Sequence, residues 1–460
     1  MTAHAALIRE NPHWKPWPHG STLDHIPGED GLPVVGVTLE QLKDPAAFAR
    51  RMVAKHGKVY RINSFGGRQV ALIGPEANEL VLMDRNKIFS SEQGWGPVLW
   101  RVFPRGLMLM DFDHHRMDRK TLSVAFKPEP MRAYADSLND GIAQRIESWS
   151  GTTFQFYPAI KQLTLDLAAT SFLGIPLGPE AKKLNQAFFD MVRASIGIVR
   201  KPWPFTAMGR GVKARAYVID YLTRMVPDRR EGGSQAGGDD MFTKICQACD
   251  ENGELLSVEA IVDHMNFMLL AAHDTVTSSI TSLVWQLGKN PEWQDRLREE
   301  MLSVAGAGER ISHNALGELK LTEYAFKEAL RMVPPVPGIP RRALADFEFG
   351  GYHIPAGTQI GINPSYTHHM AEYWPEPEKF DPMRFVPEQV RTRHKYAWVP
   401  FSGGAHMCLG LHFAYMQAKI FFHHLLTTHR IEVTKGYEPD WQLWPIPRPK
   451  DGLTITLRPL

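Results

Sequence analysis

The stretch FSGGAHMCLG, residues 401–410, determines how the chain is interpreted. It places Cys408, one of only three cysteines, after a glycine-rich loop and just before an apolar segment with helical spacing that runs to about Phe422. At a helix N-terminus, free N–H groups and the helix dipole are expected to lower the thiol pKa and favour thiolate, the form that binds metals or attacks electrophiles. Gly403, Gly404 and Gly410 would let something flat and bulky approach the backbone.

Other interpretations of Cys408 compete with this one. A buried, inert side chain is the commonest fate of a lone cysteine. A cysteine nucleophile needs a histidine base, and nothing in the sequence nominates one of the 19 histidines. A zinc site would combine Cys408 with His412, but further ligands at recognisable spacing are missing. The other two cysteines, Cys246 and Cys249, lie in a stretch with amphipathic helical spacing, which favours packing over redox or metal chemistry.

The composition narrows the class of protein. The chain has 460 residues, 43% of them hydrophobic, and its mixed charges sum to +2, which disfavours a nucleic-acid surface. Length alone suggests about two to four domains. We find no internal repeat and no low-complexity linker, only a predicted flexible loop over residues 229–240, so one continuous domain is favoured. Three cysteines cannot build a disulfide framework, and no apolar run is long enough to form a transmembrane anchor, so a cytoplasmic location is expected.

The hydrophobic pattern predicts a mostly helical protein with strands near both ends. Its clearest helix runs from Ser257, a good N-cap, to Asn290 before a proline, and would be roughly 50 Å long. The apolar centre of this helix changes abruptly at Asp274 and Thr275, which would carry polar groups into the core unless both face solvent. The predicted strands cover residues 59–62, 69–73, 347–354, 358–362 and 453–457.

The segment around the cysteine resembles a known motif. The pattern Phe401-x-x-Gly404-x-x-x-Cys408-x-Gly410 is similar to the haem-binding signature of the cytochrome P-450 family. The resemblance implies that the cysteine thiolate is the axial iron ligand and that Phe401 shields its sulfur from water. It also implies a mainly α fold with small β-sheets, a triangular helical prism with haem between the long central helix and the cysteine-loop helix. Residues 26–460 would form this single domain, after an N-terminal extension over residues 1–25.

Two further motifs occur in the order of the family. Glu328-Ala-Leu-Arg331 resembles its Glu-x-x-Arg ion pair, which Arg384 would complete in a structural role. Residues 271–275 resemble the oxygen-side motif of the family, with alanine at position 272 where glycine is usual, which narrows the expected oxygen groove. The resemblance also implies that Ala271 borders the haem, and that its propionates are held by His115, Arg119, Arg341 (with Arg342 a close competitor) and His406.

The resemblance implies a haem-thiolate monooxygenase. It would insert one atom of O2 into a C–H or C=C bond of a lipophilic small molecule that is terpenoid, steroid or fatty-acid-like. Thr275 would hydrogen-bond the oxygen and its water, and Asp274 would relay protons. The expected substrate pocket comprises Trp95, Trp100, Met108, Phe267, Met268, Val336, Ile339, Leu443 and Trp444.

The cofactor would be haem b. Electrons would come from NAD(P)H only indirectly, through a ferredoxin and ferredoxin reductase or a flavodoxin-type donor, and the protein is expected to be a monomer. Two alternatives remain open at this point: a peroxygenase or isomerase, and a non-catalytic haem-thiolate ligand binder.

Overall fold

Sixteen α-helices and thirteen β-strands form the part of the chain that the computed structural model describes, residues 23–460 without 34, 66, 196, 198, 200, 233–239 and 251. The predicted N-terminal extension lies almost entirely outside these residues. The helices are α1 Thr38–Lys43, α2 Pro45–His56, α3 Pro75–Met83, α4 Ser91–Leu99, α5 Phe112–Leu122, α6 Pro128–Trp149, α7 Phe156–Leu173, α8 Pro179–Ser195, α9 Ala207–Glu231, α10 Met241–Cys246, α11 Val258–Lys289, α12 Pro291–Val304, α13 Lys320–Met332, α14 Pro364–Thr367, α15 Pro387–Thr392 and α16 Leu411–Thr428.

Most strands lie near the two ends of the chain, as the sequence pattern predicts, whereas the strand between α6 and α7 was not predicted. The strands are β1 Gly28–Glu29, β2 Val59–Ser64, β3 Gly67–Leu72, β4 Phe89–Ser90, β5 Thr153–Gln155, β6 Ile339–Ala343, β7 Phe347–Phe349, β8 Tyr352–Ile354, β9 Gln359–Ile362, β10 His429–Glu432, β11 Trp441–Gln442, β12 Arg448–Pro449 and β13 Thr454–Pro459. Six form one mixed sheet in the order β1-β2-β3-β9-β6-β4. The others form a three-stranded sheet, β10-β13-β5, and two hydrogen-bonded pairs, β7-β8 and β11-β12.

Helix α11 crosses the core, and its predicted bounds are confirmed. The Ser257 hydroxyl caps it by accepting a hydrogen bond from the backbone N–H of Ala260 at 3.2 Å, and the helix ends just before Pro291. Its 32 residues span about 48 Å at 1.5 Å per residue. Side chains fix it on two sides, since Thr277 is 2.7 Å from Thr164 of α7 and Ser278 donates to the carbonyl of residue 447 at 2.7 Å. A helix held in this way is a rigid support for the residues at its centre.

A buried ionic network joins α13 to the segment that precedes the cysteine loop. The Glu328 carboxylate accepts hydrogen bonds from Arg331 at 2.7 and 2.9 Å, and Arg384 approaches it to 3.2 Å. Both side chains of the central pair are fully buried. Arg331 also donates to the carbonyl oxygens of His368 and Pro377, at 2.9 and 2.7 Å. The three residues that the sequence motif groups are therefore one unit, which satisfies its charges away from water.

The region of the predicted 229–240 loop is more ordered at its ends than expected. Helix α9 continues to Glu231, and Asp240 caps α10 by accepting from the N–H of Thr243 at 2.9 Å. The Arg229 guanidinium donates to the Asp240 carboxylate at 2.7 Å, and each side chain is only 2% exposed. A buried ion pair therefore holds the last turn of α9 next to the start of α10. The rest of the predicted loop, residues 233–239, lies outside the described residues.

The interpretation of the second cysteine pair as packing is correct for only one member. Cys246 is buried at the end of α10. Cys249 lies beyond the end of this helix, is exposed and forms an isolated bridge with Leu255. The helical spacing in the sequence therefore extends further than the helix does. In the described part of the chain, no helix is long and apolar enough to cross a lipid bilayer.

Candidate active site

A cavity of about 2060 Å³ lies between the centre of α11 and the loop that carries Cys408. Typical small-molecule sites measure about 300 to 1,000 Å³, so this one has room for a large flat group and a substrate together. Most of the predicted pocket residues line it, namely Trp95, Met108, Phe267, Met268, Val336, Ile339, Leu443 and Trp444, and so does Ala271, which was predicted to border the haem. Trp100 is not among the lining residues, and its ring packs against the Arg101 guanidinium, 4.2 Å from the ring centroid.

The Cys408 side chain is accessible from the cavity although it lies deep in the protein. Its backbone N–H donates to the carbonyl of Phe401 at 2.9 Å, and the Phe401 ring packs 5.5 Å from that of Tyr415. Burial raises the pKa of the free thiol, and the opposing effects of the Gly410 N–H and the Arg119 charge do not overcome it. The prediction of a lowered pKa is therefore wrong for the thiol by itself. Cys408 precedes the first residue of α16, Leu411, so the helix dipole acts on it only from a distance.

Gly404 and Gly410 of this loop have different structural roles. Gly404 has a φ of +58°, and a Cβ there would lie 2.0 Å from the carbonyl oxygen of Leu82 in α3. It does not line the cavity, so the expectation that it admits a flat group is wrong; it admits the backbone of α3 instead. Gly410 does line the cavity, and the nearest atom to a Cβ there would be a ring carbon of Phe126 at 3.9 Å. Of these two glycines, only Gly410 leaves space beside the cavity for a flat group, as predicted.

Four basic side chains form one wall of the cavity, which we call the basic wall: His115 and Arg119 from α5, Arg341 from β6 and His406 from the cysteine loop. The two imidazole rings lie 4.0 Å apart. Burial, reinforced by the neighbouring cations, lowers the pKa of His115 to about 4 and that of His406 to about 2. Burial also lowers the pKa of Arg341 to about 10, against the charges of Asp111 and Asp84.

The basic wall is suited to an anion. The Nε2 atom of His115 is buried and has no hydrogen-bond partner among the described residues. Buried cations and orphaned polar atoms are costly unless they are paired. A group with two carboxylates, facing the single thiol of Cys408, would satisfy this donor set, and haem is such a group. The position of Arg341 also distinguishes it from Arg342, which does not line the cavity and donates to the carbonyl of Gly357 at 3.1 Å.

On the opposite wall, Asp274 and Thr275 lie at the centre of α11 and line the cavity. The Asp274 carboxylate is 3.1 Å from the ammonium of Lys161 and 3.2 Å from Nδ1 of His273. Burial alone would raise the pKa of Asp274, but His273 and Lys161 outweigh it and hold the pKa below its usual value. The Thr275 hydroxyl donates to the carbonyl of Ala271, one turn earlier, at 2.7 Å. An ionised acid and a hydroxyl group therefore adjoin the same space, with Asp274 only 4% exposed.

Three neighbours of Asp274 are distant from it in the sequence and were not predicted: Tyr157, Lys161 and Arg448. Lys161 lies on α7, 113 positions earlier in the chain, and its ammonium is also 4.9 Å from the centroid of the Phe189 ring. Tyr157 and Arg448 line the same part of the cavity, and the Arg448 charge also favours ionised Asp274. No local pattern relates these positions, because the fold alone brings them together.

The zinc interpretation finds no support in the arrangement of side chains. Within the ranges that the structure describes, no group of three or more histidine, cysteine, aspartate or glutamate side chains is placed to hold a metal ion. Cys408 thus offers one sulfur ligand, which suits an iron atom whose other ligands come from a macrocycle.

Comparison with known proteins agrees with the fold and the site. Residues 26–455 match the family model described as Cytochrome P-450. A Mycobacterium tuberculosis protein designated cytochrome P-450 136 is 36% identical over 96% of this chain and 90% of its own length. A beta-amyrin 28-monooxygenase of Solanum lycopersicum is 30% identical over 94% of this chain and 92% of its own length. The solved structure titled retinoic acid bound cyanobacterial CYP120A1 superposes with a TM-score of 0.86 at 28% identity, covering 94% of this chain and 99% of that one.

The fold and the site define a haem-dependent oxidoreductase with a cysteine facing the cofactor cavity. More particularly, the chain belongs to the cytochrome P-450 family, and it is a monooxygenase. The expected fold, mainly helical with small sheets, is confirmed.

Proposed function

We propose that the protein uses O2 to hydroxylate a large lipophilic molecule of the terpenoid type. The observation that carries this proposal is the arrangement of one cavity: Cys408 on one wall and the Asp274–Thr275 pair on the other. Apolar side chains from α4, α11 and the segment around Trp444 fill much of the surface between them. A substrate held there would lie between a metal-ligating thiolate and a proton-handling pair.

Residues on two sides of the cavity would bind haem b. Cys408 would supply the thiolate ligand to the iron, and the basic wall, His115, Arg119, Arg341 and His406, would hold the two propionates. Pairing with carboxylates would satisfy the orphaned Nε2 of His115. When bound, haem supplies the redox chemistry that splits dioxygen, one atom entering the substrate and the other leaving as water.

Residues of α11 would transfer the protons that the reaction consumes. Asp274 is ionised and its carboxylate contacts Lys161, which also borders the cavity, so protons can pass between these two groups and solvent. The Thr275 hydroxyl needs only to rotate away from the carbonyl of Ala271 to donate into the cavity. Such a pair favours a dioxygen-dependent reaction over a peroxygenase, an isomerase or a passive ligand binder, because those functions need no delivered protons.

The size and lining of the cavity and the names of two relatives support a terpenoid-type substrate. The volume of about 2060 Å³ and the apolar lining suit a rigid polycyclic or polyprenyl skeleton. Relatives are named as a beta-amyrin 28-monooxygenase and a taxane 10-beta-hydroxylase, both of which act on terpenoids. We further propose that the protein acts in the cytoplasm, as a monomer, with a ferredoxin and its reductase or a flavodoxin-type carrier supplying two electrons.

Two measurements test this proposal. The reduced protein with carbon monoxide should show the red-shifted Soret band that gives the family its name, and Cys408→Ser should lose that band. Terpenoids, steroids and fatty acids should then be screened for a substrate-induced Soret shift. Hits should be turned over under isotopically labelled dioxygen with a ferredoxin and its reductase. A product without the label, or formed only when peroxide is added, contradicts the proposal.

A further inference from the structure

The carboxylate of Asp111 occupies the N-terminus of α4. One of its oxygens accepts hydrogen bonds from the backbone N–H groups of Ser91 and Glu92, at 2.7 and 3.2 Å, and the other accepts from the Ser90 hydroxyl. A negative charge at this position also interacts favourably with the helix dipole. Ser90 is itself the N-cap of α4, since its hydroxyl accepts from the N–H of Gln93 at 3.0 Å. A residue twenty positions further along the chain thus fixes where α4 begins.

Helix α4 forms part of the cavity wall, and it is tightly placed. Its Trp95 and Val98 line the cavity. Gly94 lies so close to β6 that a Cβ would be 2.6 Å from the carbonyl oxygen of Pro340 and 2.7 Å from the Cα of Arg341. A shift of α4 would therefore move cavity-lining side chains and press on the strand that carries Arg341.

The same aspartate is connected to the basic wall by two routes. It precedes α5, and its backbone carbonyl accepts from the N–H of His115 at 3.2 Å. Its charge also acts on Arg341, where it opposes the effect of burial on the guanidinium. One carboxylate thus contacts the helix that would touch the substrate, and its charge also acts on Arg341, one of the groups that would touch the cofactor.

We propose that Asp111 is a positioning residue that couples the placement of α4 over the substrate to the electrostatics of the basic wall. The proposal rests on the proposed function, because it assigns haem propionates to that wall. It makes two separate statements about Asp111. Its hydrogen bonds hold α4 in place, and its charge lowers the reduction potential of haem by offsetting the charge of Arg341.

Three variants of the haem-replete protein separate these statements. Asp111→Asn removes the charge and the acceptor for the Ser90 hydroxyl while keeping the size of the side chain. Ser90→Ala removes that hydrogen bond, together with the N-cap bond from the N–H of Gln93, but keeps the Asp111 charge, so it serves as the control for the reduction potential. Asp113→Asn is the matched control, since this carboxylate is 70% exposed and pairs only loosely with Lys87 at 3.8 Å and Arg116 at 3.7 Å.

Hydrogen exchange of the α4 amides and potentiometric titration of the haem are then measured in each variant. We expect exchange in α4 to rise about tenfold in Asp111→Asn and in Ser90→Ala, as the loss of a charge-assisted hydrogen bond implies. The reduction potential should rise in Asp111→Asn alone, because removing a negative charge favours the reduced iron. If the cause were a general structural defect and not the lost charge, the reduction potential of haem would also change in Ser90→Ala.

Unchanged exchange in both α4 variants overturns the proposal, and so does a potential in Asp111→Asn equal to that of the wild type. A shift of the same size in Ser90→Ala also overturns it, since the charge would then not be the cause. The proposed function fails separately, if wild-type protein lacks the red-shifted carbon monoxide band or forms no labelled product.

Discussion

Replacement of Glu328 by alanine should prevent stable haem incorporation. The carboxylate is fully buried, and it accepts two hydrogen bonds from Arg331 while Arg384 lies 3.2 Å away. Its removal leaves two guanidinium groups in the core without their shared counter-charge. Breaking a buried pair by removing one partner costs about 3 to 5 kcal/mol. Native domains have only about 5 to 15 kcal/mol in total, so a large share of the free energy of unfolding would be lost.

The assay is urea unfolding, followed by tryptophan fluorescence, with the haem content measured after expression. A suitable control is Asp220→Ala, because Asp220 pairs with Arg224 at 3.0 Å on the surface of α9, where both side chains are about two thirds exposed. The control should change the free energy of unfolding by less than about 0.5 kcal/mol. A Glu328→Ala protein that is haem-replete and within about 1 kcal/mol of the wild type would refute the reasoning, since the network would then contribute little.

Three further outcomes follow from the site. Thr275→Ala should still bind haem and substrate and consume reduced nicotinamide, but it should release more hydrogen peroxide and less product, because the hydroxyl that directs protons is gone; an unchanged ratio of product to cofactor oxidised contradicts this role. Lys161→Met should move the acid limb of the pH profile for turnover and for thermal stability to higher pH. The lowered pKa of Asp274 stabilises the folded protein at pH values above the normal carboxyl pKa, and this stabilisation is lost as the pH falls. Without the Lys161 ammonium, the carboxyl takes up its proton at a higher pH. If the pH profiles of Lys161→Met and the wild type coincide, the ion pair is not coupled to the reaction. Gly404→Ala should lower the free energy of unfolding by about 1 to 3 kcal/mol, because its φ of +58° and a carbonyl 2.0 Å from the new Cβ both oppose a side chain, whereas Gly317→Ala, with no atom within 4 Å, should not.

Elements with strong local signals could be predicted from the sequence. Helix α11 begins at Ser257 and stops before Pro291 because a capping hydroxyl and a proline act on their immediate neighbours. The position of Cys408 before a helix is likewise a local property of residues 401–422. Such features depend on short-range chemistry, and the rest of the fold does not override them here.

Features that depend on long-range packing could not be predicted in this way. The sequence identified Asp274 but not Lys161, because their contact joins α11 and α7 across 113 positions. The effective pKa of Cys408 depends on how much protein surrounds it, which sequence spacing does not indicate. The choice between Arg341 and Arg342 required the strand register, since neighbouring residues of β6 point to opposite faces.

The buried pair of Arg229 and Asp240 has a consequence for protein engineering. A 2.7 Å ion pair between Arg229 and Asp240 holds the end of α9 next to the start of α10, so this contact does not rely on the intervening segment. The entropic cost of closing a loop rises only slowly with its length, by about 0.6 kcal/mol for each doubling. Residues 233–239 are therefore the place to insert an affinity tag or to graft an electron-carrier domain onto this enzyme, since both ends of the insertion would start from anchored positions.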